Sequence, residues 1–210
     1  MKLVDMTLTE FADTTASDSP APGGGSVSAL QGALGAALAS MVCALTLGKK
    51  KYADVQDLAE AAKDKAEKIE REYLDIIDRD TEAFNAVSAV FAMPKETEEE
   101  KQARSAAMQE ALKLCTVTPL EMMQLALEGI KLIESVNGKL NASAASDLGC
   151  AVLSLKSALQ GAWLNVLINI GGIRDEEFVN ATRDKGQKLL EECMGIADVE
   201  YDKIVSTLQL

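Results

Sequence analysis

Two kinds of apolar pattern dominate the chain, and they predict two kinds of helix. From Ser26 to Leu47, alanine, glycine, leucine and serine follow one another with no polar face, and no charge falls between Asp18 and Lys49. Such a stretch predicts a helix enclosed by others, because it has no side to turn to water. From about Ala53 to Ala92 the pattern is different. Val55, Leu58, Ala62, Ala66, Ile69, Tyr73, Ile76, Phe84, Val87 and Phe91 recur at near-heptad spacing between charges, which predicts one long amphipathic helix. Asp80 interrupts that seam, four residues after Ile76 and four before Phe84.

The remaining elements follow the same logic. Residues 7–15 predict a short amphipathic helix capped by Thr7 or Thr9. Pro94 breaks the chain, and Thr97 with Glu100 forms a capping-box start for a helix to about Cys115. Thr118-Pro119 restarts or kinks that helix, which continues to Val136 before the Asn137-Gly138 turn. Asn141 or Ser143 caps a second small-residue helix, Ala144 to Ile170, stopped by Gly171-Gly172. One face of it carries Asp147, Ala151, Ser154, Ala158, Gly161 and Asn165. Asp175 opens a last amphipathic helix that runs nearly to the C-terminus. No run has the period of a strand. The expectation is an all-α fold, a single domain over residues 1–210, built as a bundle of five to six long helices with the small-residue helices at its centre. Apolar surface on so many faces exceeds what one such bundle buries, so a homodimer is expected.

Charge and composition narrow the function. A net charge of −12 and a pI near 4.5 argue against nucleic acid as a partner. The uncharged helix is long enough to span a membrane, but it is largely alanine with Ser28, Gln31, Gly32, Gly35 and Ser40 interspersed, so no membrane role is expected. The first residues carry charges where a secretory signal needs an apolar core, which predicts a cytoplasmic protein. Cys43, Cys115, Cys150 and Cys193 are far apart and form no CxxC pair, so neither disulfide nor zinc is expected. There is no histidine. That removes the commonest general base and the commonest metal ligand, excludes Ser-His-Asp and Cys-His triads, and predicts no metal site.

Four features carry candidate chemistry. Pro20 and Pro22 forbid a helix before Gly23, Gly24 and Gly25, and Ser26 stands where an N-cap is expected. A glycine-rich turn feeding a helix presents N–H groups to an anion or a polar ring edge, and a plain turn is the alternative; the spacing is not that of a phosphate loop. Asp80, in an apolar seam, either meets a structural partner or is held with a raised pKa, as acid/base groups are. Asp147 lies in a helix's first turn, where the dipole alone favours an acid. Lys49, Lys50 and Lys51 end a helix in an otherwise acidic chain, which suits either the dipole or an anionic ligand. Asn165 and Asn169, one turn apart, suit pairing across a dimer seam.

Taken in order, Pro20-Ala-Pro-Gly-Gly-Gly-Ser-Val, the helix ending Leu-Thr-Leu-Gly-Lys-Lys-Lys-Tyr52, Asp80-Thr-Glu-Ala-Phe84 and Asn141-Ala-Ser-Ala-Ala-Ser-Asp-Leu-Gly149 resemble the cyclodeaminase/cyclohydrolase family. That family comprises the C-terminal domain of formiminotransferase-cyclodeaminase and stand-alone methenyltetrahydrofolate cyclohydrolases. The resemblance spans nearly the whole chain and lacks the formiminotransferase domain. It implies an all-α homodimer acting on one-carbon units of tetrahydrofolate. Two reactions are implied: hydrolysis of 5,10-methenyltetrahydrofolate to 10-formyltetrahydrofolate, and cyclisation of 5-formiminotetrahydrofolate with loss of ammonia. The free-standing chain favours the first. Asp80 and Asp147 are then the acid/base and cation-stabilising candidates, with roles unassigned between them. The Gly23–Ser26 turn would hold the pterin edge and Lys49 to Lys51 the polyglutamate tail, with Pro22, Asn141 and Ser143 as further substrate-binding candidates. The tetrahydrofolate derivative is substrate, with no permanently bound cofactor. A non-catalytic dimeric helical scaffold is the alternative of another class.

Overall fold

The computed structural model describes residues 2–208, and its regular elements there are all helical. Six α-helices follow in order: α1 (Leu8–Thr15), α2 (Gly24–Ala44), α3 (Gln56–Phe91), α4 (Glu98–Val136), α5 (Ala145–Ile170) and α6 (Glu176–Leu208). Short 3₁₀ turns occupy Leu3–Asp5, Lys50–Val55 and Ala142–Ala144. The predicted caps act as expected at α1 and α4. Thr7 and Thr97 each accept the N–H three residues on, and Glu10 and Glu100 reach back to complete both boxes.

α2 is the axis of the bundle, packed chiefly against α3 and α5, while α4 and α6 close around α5. Its small residues are what let the neighbours approach. A Cβ added to Gly32 would stand 2.7 Å from Cδ1 of Tyr73, and one on Gly35 would stand 2.9 Å from Cγ of Leu155. Tyr73 is fully buried and donates its hydroxyl to the Met122 carbonyl at 2.7 Å, tying α3 to α4 through the core. These contacts also set direction. Gly25 lies by Asp80 and Gly32 by Tyr73, so α2 and α3 are antiparallel; Gly24 lies by Asn165 and Gly35 by Ala151, so α2 and α5 are antiparallel as well.

Four expectations need correction. The small-residue helix begins earlier: Gly23 is the N-cap, in extended backbone, and Ser26 lies inside the first turn of α2. Glycine can enter a helix, so Gly24 and Gly25 form its first turn ahead of Ser26. The helix also ends earlier than Leu47, at Ala44, with a turn closed by Gly48 at φ 73°. Pro119 does not restart a helix, because α4 runs through it unbroken. The α3 seam is not buried to its end: beyond Asp80, Phe84 and Phe91 are exposed and Val87 is half-buried. α3 and α4 are 36 and 39 residues long, whereas α2 and α5 have 21 and 26, so the far end of the α3–α4 hairpin outruns its partners.

α2 and residues Ala142–Ile170 are each long and apolar enough to cross a membrane by length and composition. More than half of the apolar window of α2 is buried inside the protein, as a core helix requires. The four cysteines are free thiols, with Cys43, Cys115 and Cys193 buried and Cys150 exposed. Among the described residues no group of three or more Cys, Asp or Glu side chains is placed to hold a metal ion.

Candidate functional site

The site is built where the first turn of α2 meets α3. Gly23 has no side chain to cap the helix, so the leading N–H groups of α2 have no side-chain cap. Ser26, fully buried, turns its hydroxyl across to α3 and donates it to Oδ2 of Asp80 at 3.0 Å. The Ile77 carbonyl and the Thr81 hydroxyl each lie 3.4 Å from the same Ser26 oxygen. Gly25 makes room for this arrangement: a Cβ there would lie 2.6 Å from Cγ of Asp80. The sequence expectation of a carboxylate on the buried stripe holds, and its partner is a serine hydroxyl and not a cation.

Burial pushes Asp80 above the ordinary carboxylate range, while the Ser26 hydroxyl and N–H pull in the opposite direction. A carboxyl group so placed can exchange a proton nearer neutrality than a surface aspartate can. Cys115 lies close behind. Its thiol donates to the Ala83 carbonyl at 3.0 Å, and burial followed by the Asp80 charge raises it to about 11. It is a protonated packing group and not a nucleophile.

α5 closes the other side, and here Pro119 explains what the sequence could not. Proline has no N–H for the carbonyl four residues earlier, which is that of Cys115. Nδ2 of Asn169 donates into that carbonyl at 2.8 Å. Asn165 meanwhile donates to the Gly161 carbonyl of its own helix at 2.8 Å. Within the chain the two asparagines serve different carbonyls.

The second group of predicted residues gathers elsewhere. Asn141 caps the turn into α5: its side chain accepts the Ser143 N–H at 3.2 Å and donates to the Leu45 carbonyl at 3.1 Å. Its own N–H donates to Thr46, and the Ala142 N–H donates to the Tyr52 hydroxyl at 3.1 Å. That bond, with help from Lys51 and Lys49, lowers the Tyr52 phenol. Lys49, Lys50, Lys51, Tyr52, Asn141, Ser143 and Asp147 therefore sit at the C-terminal end of α2. Asp80 and residues Pro22 to Ser26 sit at its N-terminal end. From the level of Asn165 to that of Asp147 is about 27 Å along α5 at helical rise. Within one protomer the two candidate aspartates do not share a site.

A separate cavity of about 780 Å³ opens among α3, α4 and α6, lined in part by Arg71, Asp75, Arg79, Glu121, Phe178 and Lys185. None of the sequence-predicted residues lines it, and its charges largely satisfy each other, with Arg79 paired to both Asp75 and Glu121. Asp80 lies apart from it, on the α2 side of α3. Sequence reasoning missed Thr81, Cys115, Tyr52 and the tie from Asn169; only the close succession Asp80-Thr81 offered a signal.

Comparison with known proteins places this architecture. Residues 7–188 match the family model for formiminotransferase-cyclodeaminase. The chain is 42% identical over 200 residues to a methenyltetrahydrofolate cyclohydrolase of Methylorubrum extorquens, covering 95% of this chain and 96% of that one. It is 33% identical over 190 residues to formimidoyltransferase-cyclodeaminase of Rattus norvegicus, covering 90% of this chain and 35% of that longer protein. The crystal structure of a formiminotetrahydrofolate cyclodeaminase from Thermotoga maritima superposes with a TM-score of 0.81 at 30% identity, covering 99% of this chain and 98% of that one. With the family model and full-length relatives in agreement, the chain belongs to the formiminotransferase-cyclodeaminase family.

Proposed function

We propose that this protein is an enzyme that hydrolyses 5,10-methenyltetrahydrofolate to 10-formyltetrahydrofolate, with Asp80 as the acid/base group. The observation that carries the reading is a seam carboxylate, raised by burial, oriented by Ser26 at the open N-terminus of α2. The full-length likeness to a methenyltetrahydrofolate cyclohydrolase supports the substrate. In the reaction, water adds to the cationic carbon between N5 and N10, and its proton passes to ionised Asp80. Asp80 then protonates N5 as the N5–C bond breaks. The hydroxyl proton of the adduct goes to solvent, and the remaining C=O is the 10-formyl group. The negative charge of Asp80 also stabilises the methenyl cation before attack.

The likeness to the Thermotoga maritima cyclodeaminase supports a second reading, cyclisation of 5-formiminotetrahydrofolate with loss of ammonia. It uses the same carbon and the same need for a proton carrier. Absorbance separates the two in a buffer that does not itself open the ring. Loss of the methenyl band from 5,10-methenyltetrahydrofolate supports the hydrolase. Its appearance from 5-formiminotetrahydrofolate, without loss in the first assay, supports the cyclodeaminase. Silence in both overturns both.

The protein is further proposed to act as a homodimer. Leu34 and Met41 on α2, Leu45 at its C-cap, and Leu153, Leu164 and Ile168 on α5 are exposed along two adjacent antiparallel helices. A two-fold axis across that face would set the Asp147 and lysine end of one copy against the Asp80 end of the other. Lys49 to Lys51 would then meet the polyglutamate tail of a folate whose pterin lies at Asp80.

A further inference from the structure

The chain has eight aromatic side chains, and the structure gives seven of them other work. Phe11 and Tyr73 are buried. Trp163 lies over Gly186, its Cε3 2.8 Å from where a Cβ would stand, and Tyr201 packs against the core. The Tyr52 hydroxyl accepts the Ala142 N–H. Phe91 faces Arg104 at 6.0 Å and Phe178 faces Lys113 at 5.4 Å. Phe84 remains. It is 41% exposed, on the same stripe of α3 as Asp80 and one turn farther on.

That turn carries it past Gly25, which lies against Asp80, toward the N-terminal end of α2. Ala83, the residue before it, accepts the Cys115 thiol, and the Cys115 carbonyl accepts Asn169 of α5. Phe84 is thus held at the level of the last turns of α5, where Leu164 and Ile168 are 66% and 76% exposed. Phe84 stands between the half-buried Asp80 and exposed apolar side chains of α5.

We propose that the ring of Phe84 is the surface against which the flat bicyclic pterin of the substrate lies. This inference rests on the folate reading above and adds to it the residue that orients the substrate. The face of an aromatic ring is electron-rich and attracts a delocalised cation as well as a flat heterocycle. Stacking there would bring the cationic carbon alongside Asp80 one turn away, and would disfavour substrates without a planar ring system.

Three variants test it. Phe84→Ala should raise KM for 5,10-methenyltetrahydrofolate about tenfold, in line with the loss of one stacked pair, with a smaller change in kcat. Phe84→Tyr should restore KM. Phe84→Trp should show fluorescence quenching on titration with 5-formyltetrahydrofolate that the unaltered protein, with Trp163 alone, does not. Unchanged KM in Phe84→Ala, with the unaltered protein active, overturns this inference and leaves the folate reading standing. So does a fall in oligomeric mass without a KM change, which would make the ring a contact between copies. Inactivity of the unaltered protein on both folates removes the reading and the inference together.

Discussion

A Cβ on Gly25 would stand 2.6 Å from Cγ of Asp80, so the carboxyl group occupies the space that only glycine leaves open. Gly25→Ala must displace Asp80 or part α2 from α3. The expected cost is about 1–3 kcal/mol of stability and about a hundredfold of turnover, the scale of a misplaced reacting group. Gly195 supplies the control, because a Cβ there meets nothing within 4 Å. Gly195→Ala should be neutral or stabilising by up to about 1 kcal/mol. Thermal melts and turnover on the two variants check this.

Ser26 and Asp80 should show their coupling in pH profiles. Burial raises Asp80 and the Ser26 hydroxyl lowers it, so removing the hydroxyl in Ser26→Ala raises it further. The acidic limb of kcat/KM should move to higher pH. A limb that stays in place, or moves to lower pH, would separate it from Asp80.

Asn169 and Pro119 should be energetically coupled through one carbonyl. Asn169→Ala leaves the Cys115 carbonyl without either its side-chain donor or a helical N–H, at an expected cost of about 1–3 kcal/mol. Pro119→Ala supplies an N–H four residues on. In that background the loss of Asn169 should cost distinctly less, and a double-mutant cycle by denaturant melts measures the difference. Additive losses would mean that the carbonyl is not the shared partner.

The separation of Asp80 from Asp147 makes the proposed dimer testable by complementation. Asp80→Asn and Asp147→Asn proteins should each be weak alone. Mixed and reassembled, a two-fold dimer with sites shared between copies has one intact site in each heterodimer, so activity should recover to roughly a quarter of the unaltered level. No recovery, with heterodimers shown to form, would put each site within a single copy or exclude Asp147.

The local grammar of this fold was legible: the charge-free run marked the axial helix, Thr97 and Glu100 marked the start of α4, and Asp175 marked that of α6. Errors fell where distant parts of the chain decide. Ser26 had the right identity for a cap, but its hydroxyl serves Asp80, 54 residues away, because α3 lies against that turn. Pro119 is a helix breaker by propensity, yet Asn169, 50 residues on, satisfies the carbonyl that it strands. The seam through Phe84 and Phe91 has a regular period, but no period says where the facing helix ends. Asp80 itself was visible as the wrong residue on an apolar stripe. Its distance from Asp147 was not, since chain order is silent about which ends of two helices meet.

The most direct measurement is turnover of 5,10-methenyltetrahydrofolate by Asp80→Asn, followed by loss of the methenyl band and paired with a thermal melt. A carboxyl raised on folding adds stability below its unfolded pKa and loses that contribution as pH rises through the folded value. The neutral amide escapes that loss, so Asp80→Asn should melt no lower than the unaltered protein near pH 7, and its advantage should shrink toward pH 4. Turnover should fall at least about a hundredfold while folate still binds. A folded variant with near-normal turnover would contradict the assignment of Asp80.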